Sequence, residues 1–191
     1  PQAIEMIRHM NNLPGISTRP KIIVFSGPPC SGKSTLAKDI SERMGFPHLE
    51  MDRLREELIP QSRHSKTDRN LAYRAMHLIA EHLLRQEVTV IVDATYAPYE
   101  HRIELEAIAY RTQASIFLIE CRVTEAVAVS RFREGRKNHP AVDLTSLRVQ
   151  ELVQGFPRSE MGLQLDSTNG RLACVLEIEQ YLEQGPPIQL N

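Results

Sequence analysis

The stretch Phe25-Ser26-Gly27-Pro28-Pro29-Cys30-Ser31-Gly32-Lys33-Ser34-Thr35-Leu36-Ala37 constrains the fold more than any other part of the chain. It joins a β-branched apolar run, 21–26 (KIIVFS), to a helical pattern at 33–44 through the spacing G-x-x-x-x-G-K-[ST]. A strand that passes into a helix over such a loop turns successive backbone N–H groups into one concavity. The helix N-terminus adds partial positive charge at the same place. A run of phosphates suits that geometry, so Gly27, Pro28, Pro29, Cys30, Ser31, Gly32, Lys33, Ser34 and Thr35 are the expected nucleotide-binding residues. A triphosphate is the natural occupant, with Lys33 expected at its outer phosphates and the Ser34 hydroxyl on Mg²⁺. Cys30 fills one of the four variable positions. Its side chain can turn away from the phosphates if its φ is negative, and a minor alternative gives its thiol, beside a helix N-terminus, a lowered pKa and a liability to oxidation.

Along the rest of the chain, short apolar runs alternate with longer helical patterns. Strands are expected at 21–26, 46–51, 88–92, 114–120 and 162–166, and helices at 33–44, 68–86, 98–111, 124–134 and 170–184. In the second helix Ala72, Ala75, Ile79 and Leu83 share a face at helical spacing. The alternation implies an α/β fold: a three-layer sandwich of about five parallel strands with helices on both faces, and ligands at the C-terminal strand edge. The expected organisation is an N-terminal extension over 1–20, a single domain over 21–184 and a tail over 185–191. Two polar, basic, proline-containing segments, 60–67 and 135–143, read as mobile loops.

Composition excludes several classes. With 23 Lys+Arg against 24 Asp+Glu there is no global field to hold nucleic acid or an anionic membrane. Three widely spaced cysteines, none in C-x-x-C, argue against a disulfide framework and a thiolate zinc site, and point to a reducing cytoplasm. The apolar runs are far shorter than the roughly 20 residues that span a bilayer. His77 and His82 miss the i, i+4 spacing of a helical metal pair, so no zinc is expected.

Three further motifs bear on chemistry. The run 88–92 ends in Asp93, which parallel-sheet geometry would bring beside the glycine-rich loop as a metal-orienting carboxylate; a helix cap is the competing role. No second acid follows in Asp93-Ala94-Thr95, which disfavours a water-activating motor. After 46–51 comes Asp52-Arg53-Leu54-Arg55, D-x-x-R, whose i, i+3 spacing puts Asp52 and Arg55 on one helix face; alternatively they are a solvated pair. Last, 131–137 holds Arg131, Arg133, Arg136 and Lys137, either a set of inward-pointing cations or a solvated helix end. Asp166-Ser167-Thr168-Asn169 suits either a base-lining loop or a helix cap.

Taken together, the glycine-rich loop, D-x-x-R, Ile91-Val92-Asp93-Ala94-Thr95 and the arginine-rich 131–136 resemble the small P-loop kinases of the nucleoside-monophosphate-kinase-like group. Within it, the resemblance is to the 5′-kinase domain of phage-type polynucleotide kinase and related small kinases, over roughly residues 21–170. It implies a P-loop NTPase fold with a small helical lid at about 131–146, with ATP and Mg²⁺ as the donor pair. Carried over, Asp52 is the base that takes the acceptor hydroxyl's proton and Arg55 the clamp on the acceptor's acidic group. Ser34 and Asp93 hold the metal, while Lys33, Arg131 and Arg136 handle charge on the transferred phosphoryl. The resemblance suggests a polynucleotide 5′-hydroxyl as acceptor, yet the chain has no Trp and only 5% aromatics, so nucleic acid is not favoured over a nucleoside or small metabolite. The alternative is a nucleotide-gated binding module with slow ATP hydrolysis.

Overall fold

Strand β1 (Lys21–Ser26) is buried over five of its six residues because it runs through the centre of the sheet. The computed structural model describes residues 19–60, 65–135 and 144–188. Among them five strands form one parallel sheet in the order β2-β3-β1-β4-β5, with β2 at His48–Glu50, β3 at Val90–Asp93, β4 at Ser115–Arg122 and β5 at Leu163–Asp166. A parallel strand covered on both faces needs apolar residues in succession, and this is how KIIVFS and VIVD read. Seven helices are described: α1 (Lys33–Met44), α2 (Met51–Leu58), α3 (Lys66–Arg85), α4 (Tyr99–Thr112), α5 (Glu125–Gly135), α6 (Ser146–Gln154) and α7 (Arg171–Gln184). Helices α3 and α4 cover one face of the sheet over a core that includes Ile22, Val24, Met76, Val92 and Ile108. On the other face α1 and α7 pack over Ile23, Phe25, Ile91 and Ile119. Helices α5 and α6 close a smaller cluster of Val123, Ala128, Phe132, Val149 and Val153, against which Cys30 is packed.

The expected three-layer α/β architecture is thus the observed one, with differences in detail. Helix α6 stands where no helix was expected, while α2 is the helix that the D-x-x-R spacing implied. The strand expected at 46–51 is only three residues long, because the chain turns into α2 directly at Met51. Helix α6 opens on Thr145, whose side chain accepts the Arg148 N–H at 3.1 Å. Helix α3 starts two residues before the expected position because Ser65 caps it, accepting the Asp68 N–H at 3.1 Å. Its buried stripe is Ala72, Tyr73, Met76, His77, Ala80 and Leu84, not the expected Ala72, Ala75, Ile79 and Leu83; Ile79 is 38% exposed. The helix is rotated because Tyr73 and His77 find hydrogen-bond partners inside, so their rings bury favourably. Part of the loop expected at 60–67, and 136–143, lie outside the described residues, as do 1–18 and 189–191. No helix among the described residues is long and apolar enough to cross a membrane.

Helices α3 and α4 are joined near their C-terminal ends by Glu81, which accepts from Arg85 Nη2 at 2.7 Å and from Arg111 Nε and Nη2 at 3.2 and 2.8 Å. Those two guanidinium groups hold the Glu81 carboxyl at about 2, against an ordinary 4.5. A carboxylate lowered in the folded state contributes stability that is fully present above the unfolded value and lost as pH falls through the folded one. Glu81→Gln is therefore expected to destabilise the protein at pH 7 by about 1 kcal/mol, or ~2–4 °C in Tm. The difference from wild type should shrink between about pH 5 and pH 2. Melting curves of both proteins across that range check it; a gap that does not change with pH would rule the ion-pair origin out.

Candidate functional site

The site is built where β1, β2 and β3 end. Chain direction and register put Phe25 of β1 level with Asp93 of β3, and Glu50 of β2 level with the same Asp93. The loop 27–32 leaves β1 at this level and enters α1 at Lys33. It is drawn tightly onto the sheet: a Cβ on Gly27 would sit 2.7 Å from the Cys121 carbonyl and 2.8 Å from Ser31 Oγ, so only glycine fits. Gly32, at φ 86°, supplies the left-handed entry into α1. The Gly27 N–H and the Ser26 hydroxyl both donate to the Thr95 carbonyl, at 3.5 and 2.9 Å, which fastens the start of the loop to the segment after β3.

Cys30 meets neither the negative-φ condition nor the lowered-pKa alternative. Its φ is 61°, in the left-handed region. The reason is a four-residue turn, Pro28-Pro29-Cys30-Ser31, closed by the Ser31 N–H on the Pro28 carbonyl at 3.3 Å. Proline in the second place with a left-handed residue in the third is the type II arrangement, which glycine usually completes. The thiol, far from being acidified, is pushed up by burial, an effect that Lys33 and Arg131 offset only in part. The proposed redox liability loses its physical basis, because a raised pKa leaves less thiolate to oxidise.

Asp93 is 1% exposed, and among the described residues neither of its carboxylate oxygens has a hydrogen-bond partner; the Ser31 hydroxyl is likewise buried without one. His48 Nε2 stands 3.5 Å from Asp93 Oδ2. Buried oxygens left without donors are what a cation-binding carboxylate needs. A Mg²⁺ ion takes one or two carboxylates, with phosphate oxygens and water completing an octahedron. The donor set fits: Asp93 and the Ser34 hydroxyl beside the glycine-rich loop. No three His, Cys, Asp or Glu side chains converge as ligands among the described residues.

Asp52 and Arg55 lie in the first two turns of α2, directly after β2, and pair at 3.3 Å between Asp52 Oδ1 and Arg55 Nη2. Arg55 is 1% exposed while the Asp52 side chain is 43% exposed, so a buried cation braces a carboxylate open to solvent. Glu50, which the linear sequence did not single out, adds a further carboxylate; burial first, then the Asp93 charge, raise its pKa. Thr95 and Tyr96 form the remaining wall. The Tyr73 hydroxyl accepts the Tyr96 N–H at 3.0 Å, lies 3.3 Å from Thr95 Oγ1, and holds Tyr96 at a φ of 50°. His77 continues the network, 3.2 Å from the Tyr96 hydroxyl and 3.0 Å from Glu104.

Arg131 reaches the loop from α5. Its Nη1 donates to the Ser167 hydroxyl at 3.0 Å and the Cys30 carbonyl at 3.3 Å, and Nη2 donates to the Ser167 carbonyl at 2.8 Å. It thus ties the glycine-rich loop to the turn after β5, where Asp166 accepts the Thr168 N–H and hydroxyl. Arg136 lies outside the described residues.

The left-handed turn makes a direct statement about Cys30. Cys30→Gly is expected to keep the fold within about 1 kcal/mol and to retain nucleotide binding, whereas Cys30→Val, β-branched at a positive φ, costs about 1–3 kcal/mol. Thermal melts with and without AMPPNP distinguish them; a Val variant as stable as the Gly variant would contradict the turn assignment.

Comparison with known proteins agrees with this architecture. Among curated proteins, none matches the chain. Among solved structures, a provisionally assigned kinase of Chloroflexus aurantiacus is 20% identical with a TM-score of 0.70, covering 84% of this chain and 97% of its own. The APS kinase of Mycobacterium tuberculosis in complex with AMPPNP and APS is 22% identical with a TM-score of 0.68, covering 87% and 99%. A gluconokinase of Sinorhizobium meliloti is 22% identical with a TM-score of 0.62, covering 83% and 89%. At these identities the likeness speaks for the fold, which is that of the small P-loop kinases. The AAA domain model AAA_33 matches residues 22–158, well over half of the sequence, and the chain belongs to that family.

Proposed function

We propose that the protein transfers the γ-phosphoryl group of ATP to a hydroxyl acceptor. The observation that carries this reading is the meeting of three features on adjacent strand ends: the glycine-rich loop after β1, the buried and unbonded Asp93 carboxylate at the end of β3, and the Asp52–Arg55 pair immediately after β2. Backbone N–H groups of the loop and the Lys33 ammonium take the β- and γ-phosphates. Ser34 and Asp93 would hold a Mg²⁺ ion, which when bound would supply neutralisation of the phosphate charge. Asp52, accessible and oriented by Arg55, accepts the proton of the attacking hydroxyl. Arg55 also supplies the positive field for an acceptor with an acidic group. Arg131 holds the loop and the turn after β5 together around the nucleotide, and Arg136 is the further cation assigned to charge on the transferred phosphoryl. The acceptor is a small metabolite, a nucleoside or a polynucleotide 5′-hydroxyl, and the few aromatic residues weigh against the last. The reading places the protein in the cytoplasm, where ATP is plentiful.

The test is a screen with γ-labelled ATP against nucleosides, sugars, amino alcohols, antibiotics, and 5′-hydroxyl DNA and RNA oligonucleotides. With the acceptor that becomes labelled, Asp52→Asn is expected to lower transfer by at least about 10²-fold, the scale of general-base catalysis, with ATP affinity nearly unchanged. Lys33→Ala is expected to impair ATP binding or transfer for every acceptor. Full transfer by Asp52→Asn would overturn the base assignment. Tight ATP binding with no acceptor labelled would favour a nucleotide-gated binding module.

A further inference from the structure

We propose that His48 is a positioning residue for the Asp93 carboxylate, fixing it for the divalent cation from the neighbouring strand. The inference rests on the nucleotide-site reading above but concerns a residue which that reading leaves idle. Strand β2 pairs with β3 so that His48 is level with Ile91 and Glu50 with Asp93. Residues two apart on a strand share a face, so His48 and Glu50 lie on the same side of the sheet as Asp93. His48 Nε2 and Asp93 Oδ2 are 3.5 Å apart, and both are buried atoms that lack a hydrogen bond. A closure of about half an ångström makes this an N–H···O bond.

The chemistry explains why a histidine suits the place. A carboxylate that must present an oxygen to a metal is held best by a donor on its other oxygen. A Lys or Arg there would cancel the charge that attracts the cation, and would be an expensive ion to keep in a largely buried position. An imidazole N–H at Nε2 offers Asp93 a single donor and, unlike Lys or Arg, no permanent charge. Oδ1 is then the oxygen left for the cation. Glu50, next along the same face, carries no proton donor when ionised, so the donor role falls to His48.

The test measures metal-dependent nucleotide binding by calorimetry and needs no acceptor. AMPPNP is titrated into the full chain without divalent metal and with increasing Mg²⁺, and Mn²⁺ paramagnetic resonance is read in parallel. For His48→Phe and His48→Asn, the half-saturating Mg²⁺ or Mn²⁺ concentration is expected to rise 10–100-fold, with metal-free AMPPNP affinity within about twofold of wild type. His48→Gln is expected to stay near wild type, since its amide nitrogen reaches the Nε2 position while that of Asn does not. Asn and Gln are both small and polar, so their contrast separates the hydrogen bond from packing or misfolding. Wild-type metal dependence in His48→Phe and His48→Asn would overturn the proposal. An equal loss in His48→Gln would overturn the donor geometry and with it the positioning role. Absence of any metal-dependent AMPPNP binding by the wild-type chain would instead overturn the nucleotide-site reading, and the role of His48 with it.

Discussion

Parallel pairing of β2 with β3, and of β3 with β1, is the constraint from which the site follows. Strands that run the same way and are aligned at their ends discharge their connecting loops at one edge. Here that alignment sets Phe25, Glu50 and Asp93 abreast. The glycine-rich loop, D-x-x-R and the buried acid are far apart in sequence and belong to different strand–helix connections. They meet because one backbone ladder holds three strands in register. A slip of one residue in β3 would turn Asp93 to the opposite face of the sheet and away from the loop.

The same ladder holds groups that are costly to bury. Taking a carboxylate out of water without hydrogen bonds costs several kcal/mol, a sizeable part of a domain's net stability. Asp93 is kept in that state by the apolar strand it ends, Val90-Ile91-Val92, which is fully buried. Ser31 Oγ is in a similar condition under Gly27. Cys30 and Tyr96 add backbone strain at positive φ. Concentrating these costs at one edge of a well-packed sheet is how a fold prepares a polar site, because charge and hydrogen-bonding capacity are then oriented before a ligand arrives.

What was legible in the sequence was what is local. Gly27 to Ser34 could be read because strand, turn and helix follow one another without interruption, and Asp93 because it ends an apolar run. Asp52 and Arg55 could be read because helical spacing alone brings them together. His48 and Glu50 could not, since their importance comes from a register with β3 that no short window contains. The buried face of α3 was misplaced because hydrophobicity favours Ile79 over Tyr73 and His77. Only the tertiary structure supplies Tyr96, Thr95 and Glu104 as partners that make the polar pair the inner one. The φ of Cys30 was recoverable in principle: Pro29 excludes a positive φ in the second place of the turn and leaves the third to be left-handed. The short helix α6 carried its signal too, in Thr145 followed by Val149 and Val153.

The Tyr73–Tyr96–His77 network reaches well beyond the wall it builds. It runs from the Thr95 carbonyl, where the glycine-rich loop is fastened, through three buried rings to Glu104, whose side chain is 44% exposed on the outer surface of α4. The glycine-rich loop is therefore linked, through hydrogen bonds to Tyr96 and His77 and the 3.0 Å His77–Glu104 contact, with solvent on the far side of the helical layer. In mechanical terms the site has a second boundary. Residues on that outer helix share in fixing its shape although they stand behind it, and in this family member a change on α4 is not an ordinary surface change.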